Sequence, residues 1–142
     1  MSTKGYLLEN DTGLISLPNF TIRYAKLDLT SADILALATT PIEIIAASGA
    51  GKTILPLEIM IKYTFVTTAY SPNTFVLSWG SSNTFLTSAN ILNSGTSTIR
   101  AFHSDNSTFP LDNTNVSIRS TVAPLLGDGT MTVYVAYVIM SL

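Results

Sequence analysis

Apolar and polar residues alternate with a period of two along much of this chain, the signature of strands, whose successive side chains point to opposite faces. The clearest instance is Leu57, Ile59, Ile61, Tyr63 and Phe65. Phe20, Ile22 and Tyr24 form a shorter one, continued by Ala25, Leu27 and Leu29 on the opposite parity. That change at Tyr24-Ala25 predicts a β-bulge or a strand passing from one sheet to another. Further strands are predicted around Phe75, Leu77 and Trp79, at Thr84-Phe85-Leu86, over 99–102, and around Val116 and Ile118. The last segment is apolar on both parities, Val133, Val135, Tyr137 and Ile139 against Tyr134, Ala136, Val138 and Met140. A strand covered on both faces, central in its sheet or at a subunit contact, reads this way.

The period breaks at Thr30-Ser31-Ala32-Asp33, a hydroxyl followed three residues later by a carboxylate, with Ile34, Leu35 and Leu37 giving a short apolar face. This predicts a capped helix of one or two turns that ends before Pro41, because the residue preceding a proline is pushed out of the α region. A second helical turn fits 88–93. Turns are expected at Tyr70-Ser71-Pro72-Asn73, at Gly80-Ser81-Ser82-Asn83 and at Gly127-Asp128-Gly129, with a polar loop over 104–115.

Between helix and long strand lies the stretch 39–65. Its pattern predicts a hairpin: Ile42, Ile44 and Ala46 face inward on the first strand, 57–65 forms the second, and Ser48, Gly49, Gly51 and Lys52 make the tip. The same letters invite a phosphate-loop reading, which fails on two counts. The first glycine of G-x-x-x-x-G-K-[ST] is Ala46 here, and Lys52 is followed by Thr-Ile-Leu-Pro and a period-two run where the motif needs a helix.

Seven or eight strands with short Gly-, Pro-, Asn- and Ser-rich connections and one short helix predict an all-β, antiparallel, jelly-roll-like β-sandwich. At 142 residues the chain fits one such domain, over 20–142. Residues 1–19 lack periodicity and read as an extended N-terminal arm, which lies along its own domain or crosses to a neighbouring subunit as an added strand. Its apolar residues Tyr6, Leu7, Leu8, Leu14 and Ile15, with Tyr137 and Ile139 of the last strand, are the candidate intersubunit contacts.

Composition points toward assembly. Only 11% of residues are charged, against roughly 25% in ordinary soluble chains, and the net charge is −2 with a mean hydropathy of +0.39. Ser, Thr and Asn fill the gap, numbering 16, 20 and 9. Such a chain has little charge to hold copies apart. No run of about 20 apolar residues is present to span a membrane as a helix, and a membrane β-barrel needs more alternating segments than the chain holds. The start of the chain has no secretory-signal pattern, so the mature protein is expected to begin near Met1. Seven scattered basic residues make no nucleic-acid patch, so neither nucleic acid nor membrane is expected as a partner.

The residues offer little chemistry. Cysteine is absent, and His103 is the only histidine. A Ser-His-Asp set drawn from His103, Ser104 and Asp105 would be three neighbours in one loop, without a G-x-S-x-G elbow, and a solvated histidine is the simpler reading. Asp105, Asp112 and Asp128 with Asn106 and Asn113 match no defined calcium loop. Trp79, Tyr70, Phe102 and Phe109 would suit a sugar platform, but Trp79 shares the parity of Phe75 and Leu77 and reads as core. N-x-[ST] triplets at Asn10, Asn19, Asn106 and Asn115 follow from a composition rich in all three residue types. No catalytic residue, metal ligand or cofactor is expected.

The succession of the capped helix TSADILAL, then TTPIEII, the small-residue turn AASGAGK and a strand carrying Tyr63, with Tyr70 beyond it, resembles a group of small virion structural proteins of tailed bacteriophages. The resemblance covers about a third of the chain, roughly 29–79; where this chain has Ala47-Ser48 the pattern more often has Ala-Pro. It implies a non-enzymatic β-sandwich subunit that forms a homo-oligomer, commonly a trimer. Its expected place is the virion, as a capsid decoration, head-fibre or tail-associated protein bound to a phage capsid or tail protein. The alternative is a lectin-like carbohydrate-binding module that attaches to a host glycan.

Overall fold

The computed structural model describes residues 8–9, 15–16, 21–71, 74–88, 90–103 and 111–142. Two short strands, β1 (Leu8–Glu9) and β2 (Ile15–Ser16), pair antiparallel with each other. The rest is a β-sandwich of eight antiparallel strands and one short helix: β3 (Arg23–Leu29), α1 (Ser31–Ala36), β4 (Ile42–Ile45), β5 (Lys52–Thr64), β6 (Phe75–Trp79), β7 (Asn83–Ser88), β8 (Thr98–His103), β9 (Val116–Ser120) and β10 (Thr130–Ser141). One sheet runs β3-β10-β5-β8 and the other β4-β9-β6-β7. First pairs with last and second with second-last, down to β6 with β7, the pairs falling alternately in the two sheets. That is a long antiparallel ribbon wound up on itself, a jelly roll.

The expected hairpin over 39–65 is therefore corrected. β4 pairs with β9 and β5 pairs with β10 and β8, so the two strands belong to opposite sheets. Ser48, Gly49 and Gly51 lie in a crossover between sheets and Lys52 opens β5. Period-two alternation declares a strand but not its partner, and a small-residue connection can cross the ~10 Å between packed sheets as readily as it can reverse a hairpin. Gly49 and Gly51 do hold positive φ, at 98° and 74°.

Bulges explain where parity was misread. In β5 the register steps from Ala136↔Glu58 to Tyr137↔Pro56, leaving Leu57 as the extra residue. Inward positions accordingly switch from Ile54 and Pro56 to Ile59, Ile61 and Tyr63, and Leu57, expected inward, is 37% exposed. Pro56 sits at that bulge, where a strand tolerates a residue lacking an N–H. A second register step in β4, between Glu43 and Ile45, buries Ile45 as well; Ile42 and Ile44 pack half-buried against the core as expected, whereas Ala46 is exposed. The bulge expected at Tyr24-Ala25 is absent: β3 pairs with β10 without a break from Leu29 to Arg23, and Ile22 and Tyr24 are simply exposed. In place of a second helical turn over 88–93, Ser88 ends β7, and Asn90, at φ 67°, leads into a turn that buries Ile91 and Leu92.

Side chains from both inner faces fill the core, chiefly Ile59, Ile61, Tyr63, Phe75, Leu77, Trp79, Ile118, Val133 and Val135. Helix α1 makes the step from β3 to β4 and buries Ile34 and Leu37. Trp79 ties the sheets together, its Nε1–H donating to Ile54 O at 2.8 Å while its ring packs on Phe85 at 4.5 Å.

Candidate interaction surface

The glycine crossover is a structural corner. Gly49 N–H donates to Asn113 Oδ1 at 2.9 Å and Lys52 N–H to Asp112 Oδ1 at 3.1 Å, while Lys52 O accepts from Asn113 N at 2.8 Å. Thr53 Oγ1 donates to Leu111 O, and Leu142 N to Gly51 O. A phosphate would need these backbone N–H groups, yet a side-chain carbonyl and a carboxylate already occupy them, and Asp112 would repel an anion. The corner fastens β5, the 111–115 loop and the chain's last residue to one another.

A second corner forms at Gly127-Asp128-Gly129, where a turn was expected. Asp128 accepts from the backbone N–H groups of Thr67 and Thr68, each at 2.9 Å, and from Thr67 Oγ1. These bonds hold its carboxyl below the usual carboxylate range. Both oxygens accept hydrogen bonds from the 67–68 connection, so the residue clamps two connections together. Beside it Tyr70 donates to Gly129 O at 2.6 Å, and burial pushes its phenol up to about 12. Burial raises the phenol of Tyr63 as well, whose ring meets Tyr70 edge-on at 6.3 Å.

The remaining chemical candidates come apart. Trp79 and Tyr70 are buried and Phe102 packs against the core, so no sugar platform is assembled from them; Phe109 lies outside the described residues. His103 is exposed at the end of β8, opposite Glu58. Its loop neighbours Ser104, Asp105 and Asn106 lie outside the described residues. Among the described residues no three acidic, His or Cys side chains gather to hold a metal, and no helix is long and apolar enough to cross a membrane.

One broad surface open to a partner among the described residues is the outer face of the β3-β10-β5-β8 sheet. Cross-strand register sorts its side chains into three rows: Asp28, Thr132, Lys62 and Ile99; then Lys26, Tyr134, Met60 and Ala101; then Tyr24, Ala136, Glu58 and His103. Tyr24 is 80% exposed, Ile99 63% and Met60 40%. Ala101 and Ala136, being small, leave a shallow depression of about 380 Å³ rimmed by Tyr24, Lys26, Glu58, Met60 and Tyr134. Lys26 reaches Asp28 at 2.8 Å, the one ion pair among the described residues. The lysine's hydrogen bond, then that of Thr132, holds the Asp28 carboxyl below its ordinary value.

The expected contact residues fall elsewhere. Tyr6, Leu7 and Leu14 lie outside the described residues; Leu8 and Ile15 are on β1 and β2. Tyr137 packs against its own core, and Ile139 is half-buried opposite Ile54. The outward residues of β10 are Thr132, Tyr134 and Ala136. Tyr24 carried the missed signal: its parity is opposite to that of Ala25, Leu27 and Leu29, so an unbroken strand had to present it to solvent.

No family model matches the chain, and no curated protein matches it. Among solved structures, a chain in the capsid asymmetric unit of cyanophage Pam1 is similar over 84% of each chain, with 18% identity and a TM-score of 0.54. A chain of the Ralstonia phage GP4 capsid is similar over 85% of this chain and 84% of that one, at 15% identity and a TM-score of 0.49. The fold is thus shared with a phage capsid chain over 84% of each.

Proposed function

We propose that this protein is a non-enzymatic structural subunit of a tailed-phage virion. In this reading it associates with itself and binds a capsid or tail protein as a decoration or fibre component. The observation that carries the reading is the fold held in common with a Pam1 capsid chain over 84% of both chains. The helix-and-turn pattern of 29–79 supports it independently, and so does the use made of the chain's few acidic groups. Asp33, Asp112 and Asp128 are bound to backbone N–H groups in caps and corners, an architectural use of charge. The mechanism is burial: apolar strand faces contribute about 25 cal/mol per Å² removed from water, and sparse charge keeps the desolvation cost low.

The trimer and the place on head, head fibre or tail come from the sequence resemblance and belong to this proposal. Three of the four aromatic residues that would serve the glycan alternative, Trp79, Tyr70 and Phe102, are engaged in the core. Quantitative mass spectrometry of purified particles tests the reading, with this chain expected in a fixed ratio to the major capsid protein. Its absence from the particles would overturn it.

A further inference from the structure

One column of the exposed sheet face is self-complementary in charge. Glu58, Met60 and Lys62 follow one another along the outer face of β5, so a carboxylate and an ammonium stand on either side of Met60, each about 7 Å from it along the strand. Both are exposed, and neither belongs to the ion pair between Lys26 and Asp28. A two-fold axis in the plane of the sheet, crossing the strands at the level of Met60 and Tyr134, carries Glu58 onto Lys62 and Lys62 onto Glu58. A parallel placement of the two columns face to face would instead set Glu58 against Glu58 and Lys62 against Lys62.

We propose that this face docks a second copy of the same chain, sheet to sheet, through a two-fold contact centred on Met60 and Tyr134. Packed sheets sit about 10 Å apart with strands within about 30° of alignment. Met60 and Tyr134 then meet their own counterparts across the axis, beside the depression that Ala101 and Ala136 leave. Lys26 falls opposite Lys26 of the second copy, but each is already bridged to Asp28, and the twist between sheets spreads the edge strands apart. A patch four strands wide and three rows tall spans roughly 400 Å². Stable interfaces bury about 800 Å² per partner, so the contact alone is a weak one that joins subunits, or whole trimers, in pairs.

The inference rests on the self-association in the reading above. The absence of cysteine makes Met60→Cys a single reporter thiol. With their Cα atoms about 10 Å apart the two introduced cysteines are outside disulfide geometry, but their thiols are within reach of a short bismaleimide, so the expected product is a two-chain adduct. Val122→Cys, on an exposed position elsewhere, is the control that should give none. In sedimentation at up to ~100 µM, Glu58→Lys alone and Lys62→Glu alone should each weaken association at least tenfold, because each sets like charges against each other. The double reversal should restore it. Oligomers indifferent to both single reversals, or a trimer without the Met60→Cys adduct, would overturn this face and leave self-association standing. A wild-type monomer over the whole range would overturn both.

Discussion

At the scale of single residues, the tightest constraint is Gly127 against Tyr70. Gly127 has φ of 89°, and a Cβ there would lie 2.3 Å from Tyr70 Cδ1. The left-handed backbone and the ring contact both exclude a side chain, so Gly127→Ala is expected to cost about 3 kcal/mol, read as a lowered denaturant midpoint. An unchanged midpoint would mean that the Tyr70 corner is not rigid. Gly127-Asp128-Gly129 could be read from the letters as a turn, because glycine and aspartate favour these conformations. That its glycines exist to admit the rings of Tyr63 and Tyr70, from more than 50 positions upstream, could not be read: the contact is non-local. Trp79 is the opposite case, placed in the core by its parity alone.

At the scale of elements, α1 was fully legible because its determinants are local. Thr30 caps it as the capping box requires, Asp33 N–H donating to Thr30 Oγ1 at 3.2 Å and Thr30 N–H to Asp33 Oδ2 at 2.8 Å. Thr30→Ala is expected to lower stability by about 1 kcal/mol, with Thr30→Ser recovering most of it in the same thermal melts. Strand β5 shows the limit of such reading. Its period-two run named it a strand, yet Pro56 and Leu57 sit at a bulge that alternation cannot reveal, and its partners β10 and β8 come from the far end of the ribbon. The presumed hairpin with β4 failed for that reason.

At the scale of the whole molecule, charge is so scarce that its loss should be felt as a unit. The carboxyls of Asp28, Asp33 and Asp128 are all held below their ordinary value of 3.8, chiefly by hydrogen bonds from Lys26, Thr30 and Thr67 respectively. A depressed carboxyl stabilises the fold fully above its unfolded pKa, and that contribution is lost as pH falls through the folded value. Tm is therefore expected to be flat above about pH 5 and to drop below about pH 4. Asp128→Asn should start from a lower Tm at neutral pH and fall less steeply; an identical slope would remove Asp128 from the clamp. Assembly belongs to this scale too, since the outer face of the β3-β10-β5-β8 sheet exists as a surface only once four strands from separate parts of the chain lie side by side.

The sequence by itself determined the class of fold, the number and approximate place of the strands, the capped helix and the inward position of Trp79. Each follows from alternation, turn chemistry or capping within a few residues. Tertiary structure alone decided that β4 and β5 lie in opposite sheets, that Leu57 is displaced by a bulge, and that Tyr137 turns into the core while Tyr24, Met60 and Tyr134 share an outer face. Strand pairing in a jelly roll joins first to last, and no window of sequence contains both ends of such a pair.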